Sequence, residues 1–250
     1  MSALTSPILS TTQSDWAQRA AAIDWTAATE SLHLQGNAVL PQLLSATECA
    51  ALAALYSDGG DTTFRSRVVM QRHGFGQGEY RYFSYPLPDL VAGLRTAMYP
   101  HLAPIANQWN DAMGIAVRYP AQHADFIARC HAAGQVRPTP LLLQYQAGDY
   151  NCLHQDLYGE HVFPLQVAIL LSDPGRDFTG GEFVLTEQRP RMQSRSEVVA
   201  LAHGDAVVFA VHHRPVQGTR GPYRVQMRHG VSRLRSGLRH TAGIIFHDAE

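Results

Sequence analysis

Residues 141–156 read LLLQYQAGDYNCLHQD, and how this stretch divides decides the fold. Leu141–Tyr145 is short and apolar, and Ala147-Gly148-Asp149 follows it as a turn signal, the pattern of a strand that ends in a turn. The stretch closes on His154-Gln155-Asp156. On a strand, residues i and i+2 point the same way, so His154 and Asp156 are expected on one face. Further short segments rich in β-formers follow: Leu165–Leu171, Glu182–Leu185, Val198–Ala202, Ala206–Val211 and Thr241–Phe246. Asp173-Pro174-Gly175 and His203-Gly204-Asp205 punctuate them. Short strands spaced this way predict a sandwich or a barrel.

Upstream the texture is helical. Ser14 is expected to cap a helix through Asp15–Asp24, and Thr26 a second helix that stops at Gly36. Asn37–Leu40 reads as a short strand closed by Pro41. Ser45-Ala-Thr-Glu48 has the capping-box pattern and opens a helix over Cys49–Tyr56 that ends at Asp58-Gly59-Gly60. Pro88 and Asp89 start a longer helix with Leu90, Val91, Leu94 and Met98 on one face, which Pro100 and Pro104 should kink or interrupt. Pro120–Gly134 is a further helix candidate. Residues 1–14 are rich in Ser and Thr and are expected to be flexible. Helices first and strands after predict one α+β domain over residues 15–250, with helical support at 15–137 and a β core at 138–250.

With 250 residues, 45% hydrophobic and 16% charged, the chain is neither disordered nor fibrous. No apolar run approaches the roughly 18 residues of a membrane helix. The first 15 residues lack the basic end and apolar run of a signal peptide. Cys49, Cys130 and Cys152 are odd in number and widely spaced, and read as reduced thiols of a cytoplasmic protein. The sequence does not set the oligomeric state. A net charge of −1 hides an asymmetry: residues 1–188 carry 10 Arg against 17 acids, whereas residues 189–239 carry 10 Arg against only Glu197 and Asp205. That segment points either to an anionic partner or to a solvated arginine face.

An imidazole and a carboxylate on one strand face can hold two adjacent positions on a metal. Two histidines and one carboxylate on one face of Fe(II), with the opposite face open, is the ligand set of non-haem iron oxygenases. A lone His-x-Asp arises often by chance, so a third ligand is needed from further along. Six histidines follow position 200, and His229 is singled out by Gly237-Leu238-Arg239 and the apolar Thr241–Phe246 after it. A hairpin there would bring a ligand and a cation to one pocket, and arginine grips a carboxylate with two parallel hydrogen bonds. His213 is a rival, with Gly218 and Arg220 behind it but no clean apolar strand. The plain alternatives are loop histidines at 212 and 213, an Arg239 paired with Asp248 or Glu250, and a half-buried strand Tyr145.

Taken together, residues 141–246 resemble the 2-oxoglutarate/Fe(II)-dependent oxygenase superfamily. The likeness rests on Tyr145, Gly148, His154-Gln155-Asp156, Gly180-Gly181-Glu182-Phe183, Gly204-Asp205, His229-x-Val231 and Gly237-x-Arg239. Within it, the sequence is most similar to a bacterial branch assigned to oxidative repair of alkylated nucleic acid, related to AlkB-type demethylases. The resemblance implies a double-stranded β-helix (jelly roll), iron held by His154, Asp156 and His229, and 2-oxoglutarate held by Arg239 and Tyr145. It also implies hydroxylation of a substrate C–H with O₂, and on an N-methyl group the product would shed formaldehyde. Two departures stand out: Leu143 occupies the place of an asparagine in AlkB-type enzymes, and residues 211–228 are longer than the matching link.

The segment from Met70 to Phe83 mixes Phe75, Tyr80, Tyr82 and Phe83 with Arg72, Arg81 and three glycines. Aromatic faces can stack on bases while arginines hold phosphates, which suits a flipped base in single-stranded nucleic acid. The plain alternative is a β-hairpin with its aromatics in the core. A prolyl or amino-acid hydroxylase and a non-catalytic jelly-roll protein that binds a metal or an acidic ligand stay open at this point.

Overall fold

The structure, a computed structural model, describes residues 13–60 and 62–250. The segment 1–14 expected to be flexible lies outside the described residues except for Gln13 and Ser14, which begin a helix. The helices are α1 (Gln13–Ala21), α2 (Trp25–Gln35), α3 (Ala46–Asp58), α4 (Asp89–Ala112) and α5 (His123–Ala132). The N-terminal strands are β1 (Asn37–Leu40), β2 (Phe64–Val69), β3 (Gly76–Gln77) and β4 (Glu79–Phe83). Then come β5 (Leu141–Gln146), β6 (Tyr150–His154), β7 (Leu165–Leu170), β8 (Phe178–Gly180) and β9 (Phe183–Gln188). The last are β10 (Arg195–Val199), β11 (Ala206–Ala210), β12 (His213–Gly218), β13 (Gly221–Val231) and β14 (Leu234–Ile244).

Helix ends follow their capping chemistry. The box at Ser45 forms: the Glu48 N–H donates to Ser45 Oγ at 3.3 Å, and the Ser45 N–H donates to Glu48 Oε2 at 2.8 Å. At α2 the cap is Asp24 instead of Thr26, its carboxylate accepting the Ala27 N–H at 2.9 Å. Gly36 closes that helix at φ 80°, a left-handed conformation natural to glycine. Neither Pro100 nor Pro104 interrupts α4, which runs 24 residues. The two prolines are one turn apart and exposed. The carbonyls they leave without an N–H partner, at Thr96 and Pro100, belong to exposed residues and can turn to water. The opposite face, with Val91, Leu94, Met98, Leu102 and Trp109, is buried.

Strand pairing is antiparallel throughout the two sheets. The larger runs β1-β11-β7-β14-β5-β4-β2, with β8 on β14; the smaller runs β10-β9-β13-β6-β3, with β12 on β13. The helices pack on one face of the larger sheet, against Leu142, Val167, Ile169, Val208 and Ile244. The other face turns toward the smaller sheet, where Ala168, Val207 and Phe209 meet Phe183 and Leu185. This is a double-stranded β-helix with supporting helices, as expected.

The N-terminal half supplies more than support. Strand β1 pairs β11, from Asn37↔Phe209 to Leu40↔Ala206, and β4 pairs β5, from Glu79↔Gln144 to Tyr82↔Leu141. The Met70–Phe83 segment is part of a hairpin, as its plain reading has it. Residues 211–228 are mostly a second hairpin, β12–β13, whose Pro215, Pro222, Gly218 and Gly221 hide it from a strand pattern. No described helix is long and apolar enough to cross a membrane.

Candidate metal centre

His154 is the last residue of β6 and lies directly opposite His229 on β13, so the two rings meet with centroids 4.2 Å apart. Asp156 sits two residues past the strand end and turns back between them, not along a continuing strand face. Its Oδ1 is 3.4 Å from His154 Nε2 and its Oδ2 is 3.3 Å from His229 Nε2. One ligand atom from each of the three gathers within 4.8 Å of the others. Gln155 between them stitches the segment to β13, its Nε2 donating to the Met227 carbonyl at 2.7 Å.

The imidazole orientations suit a cation. His154 Nδ1 faces the Cys152 carbonyl at 2.8 Å, which keeps the proton there and leaves the Nε2 lone pair for the site. His229 is buried and flanked by the rings of Phe209 and Phe183, at 4.6 and 6.1 Å. Burial works against the Asp156 carboxylate, yet hydrogen bonds to both imidazoles outweigh it and hold this carboxyl well below the usual range. Burial lowers the pKa of His229; at His154 the Asp156 carboxylate overcomes burial and raises it. A cation entering here would displace the protons that the two imidazoles share with Asp156, and two imidazoles and a carboxylate converging in a low-dielectric wall are a donor set that fits a divalent metal.

Across one cavity of about 210 Å³ stands a different group. Arg239 on β14 is the cross-strand partner of Tyr145 on β5, with its guanidinium carbon 5.6 Å from the Tyr145 ring centre. Both are buried, at 2% and 0% exposure. Arg239 donates from one terminal nitrogen to Thr241 Oγ1 at 2.5 Å, while its Nε and the Tyr145 hydroxyl meet no hydrogen-bond partner among the described residues. Burial lowers the pKa of this guanidinium to about 10. Unmatched donors in a buried cavity are what a ligand carboxylate would satisfy. The alternative pairing of Arg239 is not seen, because Asp248 is bound to Arg95 at 2.7 Å. His213 stands apart as well, on β12 opposite Gln226 and against the ring of His212.

Three contributors were not read from the sequence. Thr241 follows Arg239 by two residues, the spacing that shares a strand face, so that signal was present. Gln166, buried with its amide nitrogen unpartnered on the cavity wall, is the polar residue in the run Leu165–Leu170. Tyr158 donates to Asp156 Oδ1 at 2.8 Å and carried no signal. Of the Met70–Phe83 aromatics, Tyr80 and Tyr82 line the cavity and Phe75, 47% exposed, sits at its rim stacked on His73. The arginine cluster divides: Arg214 is buried against Glu187, whereas Arg228, Arg233 and Arg235 are exposed.

Comparison with known proteins agrees with this geometry. Residues 78–249 match the model of a family described as an oxygenase catalysing oxidative methylation of damaged DNA. Two uncharacterised proteins of Mycobacterium tuberculosis, from different strains, are each 52% identical over 167 residues, 67% of this chain and 72% of theirs. Among solved structures, a Pseudomonas putida prolyl-4-hydroxylase aligns with a TM-score of 0.53 at 14% identity, over 90% of this chain and 99% of that one. A 2-oxoglutarate/Fe(II) oxygenase family oxidoreductase from Burkholderia pseudomallei gives 0.52 at 15%, over 90% and 92%. Those structural likenesses speak for the fold alone, but the family match spans more than two thirds of the sequence, and the chain therefore belongs to this oxygenase family.

Proposed function

We propose that residues 15–250 act as one catalytic domain that oxidises the N-methyl group of an alkylated base in single-stranded or locally opened nucleic acid. The observation that carries the oxygenase part is a single cavity with a His154–Asp156–His229 cluster on one side and the unmatched Arg239 donors on another. In this reading His154, Asp156 and His229 hold Fe(II), and Arg239 grips the far carboxylate of 2-oxoglutarate with Tyr145 and Thr241 beside it. When bound, the iron supplies the redox chemistry that divides O₂ between the 2-oxo acid and a substrate C–H. The methyl becomes a hydroxymethyl and 2-oxoglutarate becomes succinate and CO₂. The hydroxymethyl then leaves the base nitrogen as formaldehyde.

Within this scheme the protein's work is positional. Arg239 orients the co-substrate by a two-pronged contact. Phe183 and Phe209 keep water off His229. The nucleic-acid part is supported by the family's description, by the stacked Phe75–His73 pair at the rim, and by exposed Arg72, Arg233 and Arg235. The three free thiols suit a reducing compartment, and we assign the protein to the cytoplasm.

The test is 2-oxoglutarate turnover with three candidate primes: an N-methylated single-stranded oligonucleotide, its unmethylated twin and a proline-rich peptide. Succinate and formaldehyde released in equal amounts with the methylated strand alone are expected. Stimulation by the peptide alone would turn the reading to a prolyl hydroxylase. No succinate under any condition, with iron bound, would leave a binding protein.

A further inference from the structure

Asp156 lies outside regular structure, so something other than a strand must hold its carboxylate. We propose that Tyr158 and Gln135 form the device that sets it: Tyr158 is a positioning residue that occupies Asp156 Oδ1, leaving Oδ2 to ligate the metal alone. This rests on the reading of Asp156 as a ligand.

The loop after Asp156 is bound at both ends of one buried side chain. Gln135, 0% exposed, accepts the His161 N–H on Oε1 at 2.7 Å. Its Nε2 faces the carbonyls of Tyr158 at 3.2 Å, His161 at 3.1 Å and Asp248 at 2.5 Å. Gly159 permits this approach, because a Cβ there would meet the Gln135 amide carbon at 2.5 Å, at a φ of 82°. The loop so fixed points the Tyr158 hydroxyl at Asp156 Oδ1, 2.8 Å away. The Tyr158 ring is held in turn among Tyr82, Leu141 and Ile245 and near His247. An oxygen that accepts a hydroxyl proton is a poorer metal donor, and the bond also fixes the carboxylate plane. One-oxygen ligation matters here because a second coordinated oxygen would take a position that co-substrate or O₂ needs.

Tyr158→Phe removes the hydroxyl and keeps the ring. Titrate the metal-free full chain with Co(II) and follow its ligand-field bands. The expected result is a 10–100-fold loss of Co(II) affinity, the usual effect of losing a partner of a metal ligand. The bands should also weaken as Oδ1 joins and the coordination number rises. Thermal stability of the metal-free protein should change little. Gln135→Glu, which loses the amide donors, should shift affinity the same way; if it fails to fold, Tyr158→Phe alone decides. Unchanged or tighter Co(II) binding with unchanged bands in Tyr158→Phe would overturn the proposal, and so would a loss of thermal stability without a loss of affinity. Asp156→Ala is the separate control: if it keeps full Co(II) affinity, the ligand assignment itself fails.

Discussion

Replacing Arg239 with Met should make the metal-free protein more stable and its co-substrate binding far worse. Arg239 is 2% exposed, its Nε is unpartnered, and Glu182 acts on it only through longer-range charge. Burial lowers its pKa well below the usual guanidinium range, to about 10. For a cation depressed in the folded state, the unfolded chain binds the proton more tightly. The cost is therefore full at neutral pH and is relieved only as pH rises above about 10. At neutral pH that is on the order of 3 kcal/mol. Losing the Thr241 hydrogen bond returns about 1 kcal/mol, and lost side-chain contacts return more. A net gain of about 1–2 kcal/mol remains, or roughly 3–6 °C in melting temperature for a chain of this size. The loss of a two-pronged carboxylate contact costs about 2–5 kcal/mol of binding, thirty-fold or more in affinity. The assay pairs a melting curve of metal-free protein with anaerobic 2-oxoglutarate titration into the Fe(II) form, followed by its charge-transfer band. Arg239→Lys should rescue binding partly, and the exposed Arg235→Ala should leave it intact. A lower melting temperature with unchanged 2-oxoglutarate affinity would refute the reasoning and make Arg239 a structural cation.

Other outcomes follow from the same structure. His154→Ala, Asp156→Ala and His229→Ala should each abolish Fe(II)-dependent succinate release, while His213→Ala keeps most of it; the opposite pattern for positions 213 and 229 would move the third ligand. Phe75→Ala should weaken binding of a single-stranded oligonucleotide by about 1–3 kcal/mol with Phe75→Trp preserved. Arg233→Ala and Arg235→Ala should instead flatten its salt dependence, read by fluorescence anisotropy from low to physiological salt. Burial lowers His123 and His247 from 6.5 to about 4. Both are therefore neutral in the fold while the unfolded chain takes up protons first. Their stability contribution is complete above about pH 6.5 and disappears toward pH 4, up to about 3 kcal/mol each. Urea midpoints measured across that range should fall steeply, and a flat profile would contradict the burial.

Local chemistry made much of this fold legible. The Ser45–Glu48 box and the Gly36 stop need only neighbouring residues, and they appear where the sequence put them. The short apolar runs bounded by turn signals at β5, β7 and β11 were equally readable. At β10 the reading slipped three residues, from Arg195–Val199 to Val198–Ala202, because an exposed edge strand carries no apolar stripe. The prolines of α4 misled because their effect depends on which face meets water, a tertiary property. At the site, His154, Asp156 and His229 came from motif spacing. Gln135 and Tyr158 are 23 residues apart and meet only in the fold, so no pattern in either neighbourhood announces them.

The pairing of β1 with β11 has a consequence for synthesis. The partners in that ladder are separated by 166 to 172 residues of chain. At roughly 5–20 residues per second, a ribosome leaves Asn37–Leu40 without its neighbour for on the order of 10–30 s. The nascent chain carries an apolar strand with open backbone groups through that interval, during which α2 and α3 can form but the larger sheet cannot close. Loop closure over such a span also slows refolding, since its entropy is lost before the ladder returns any contact. Holdase chaperones that mask short apolar strands should therefore raise the yield of this enzyme more than chaperones that act on finished domains.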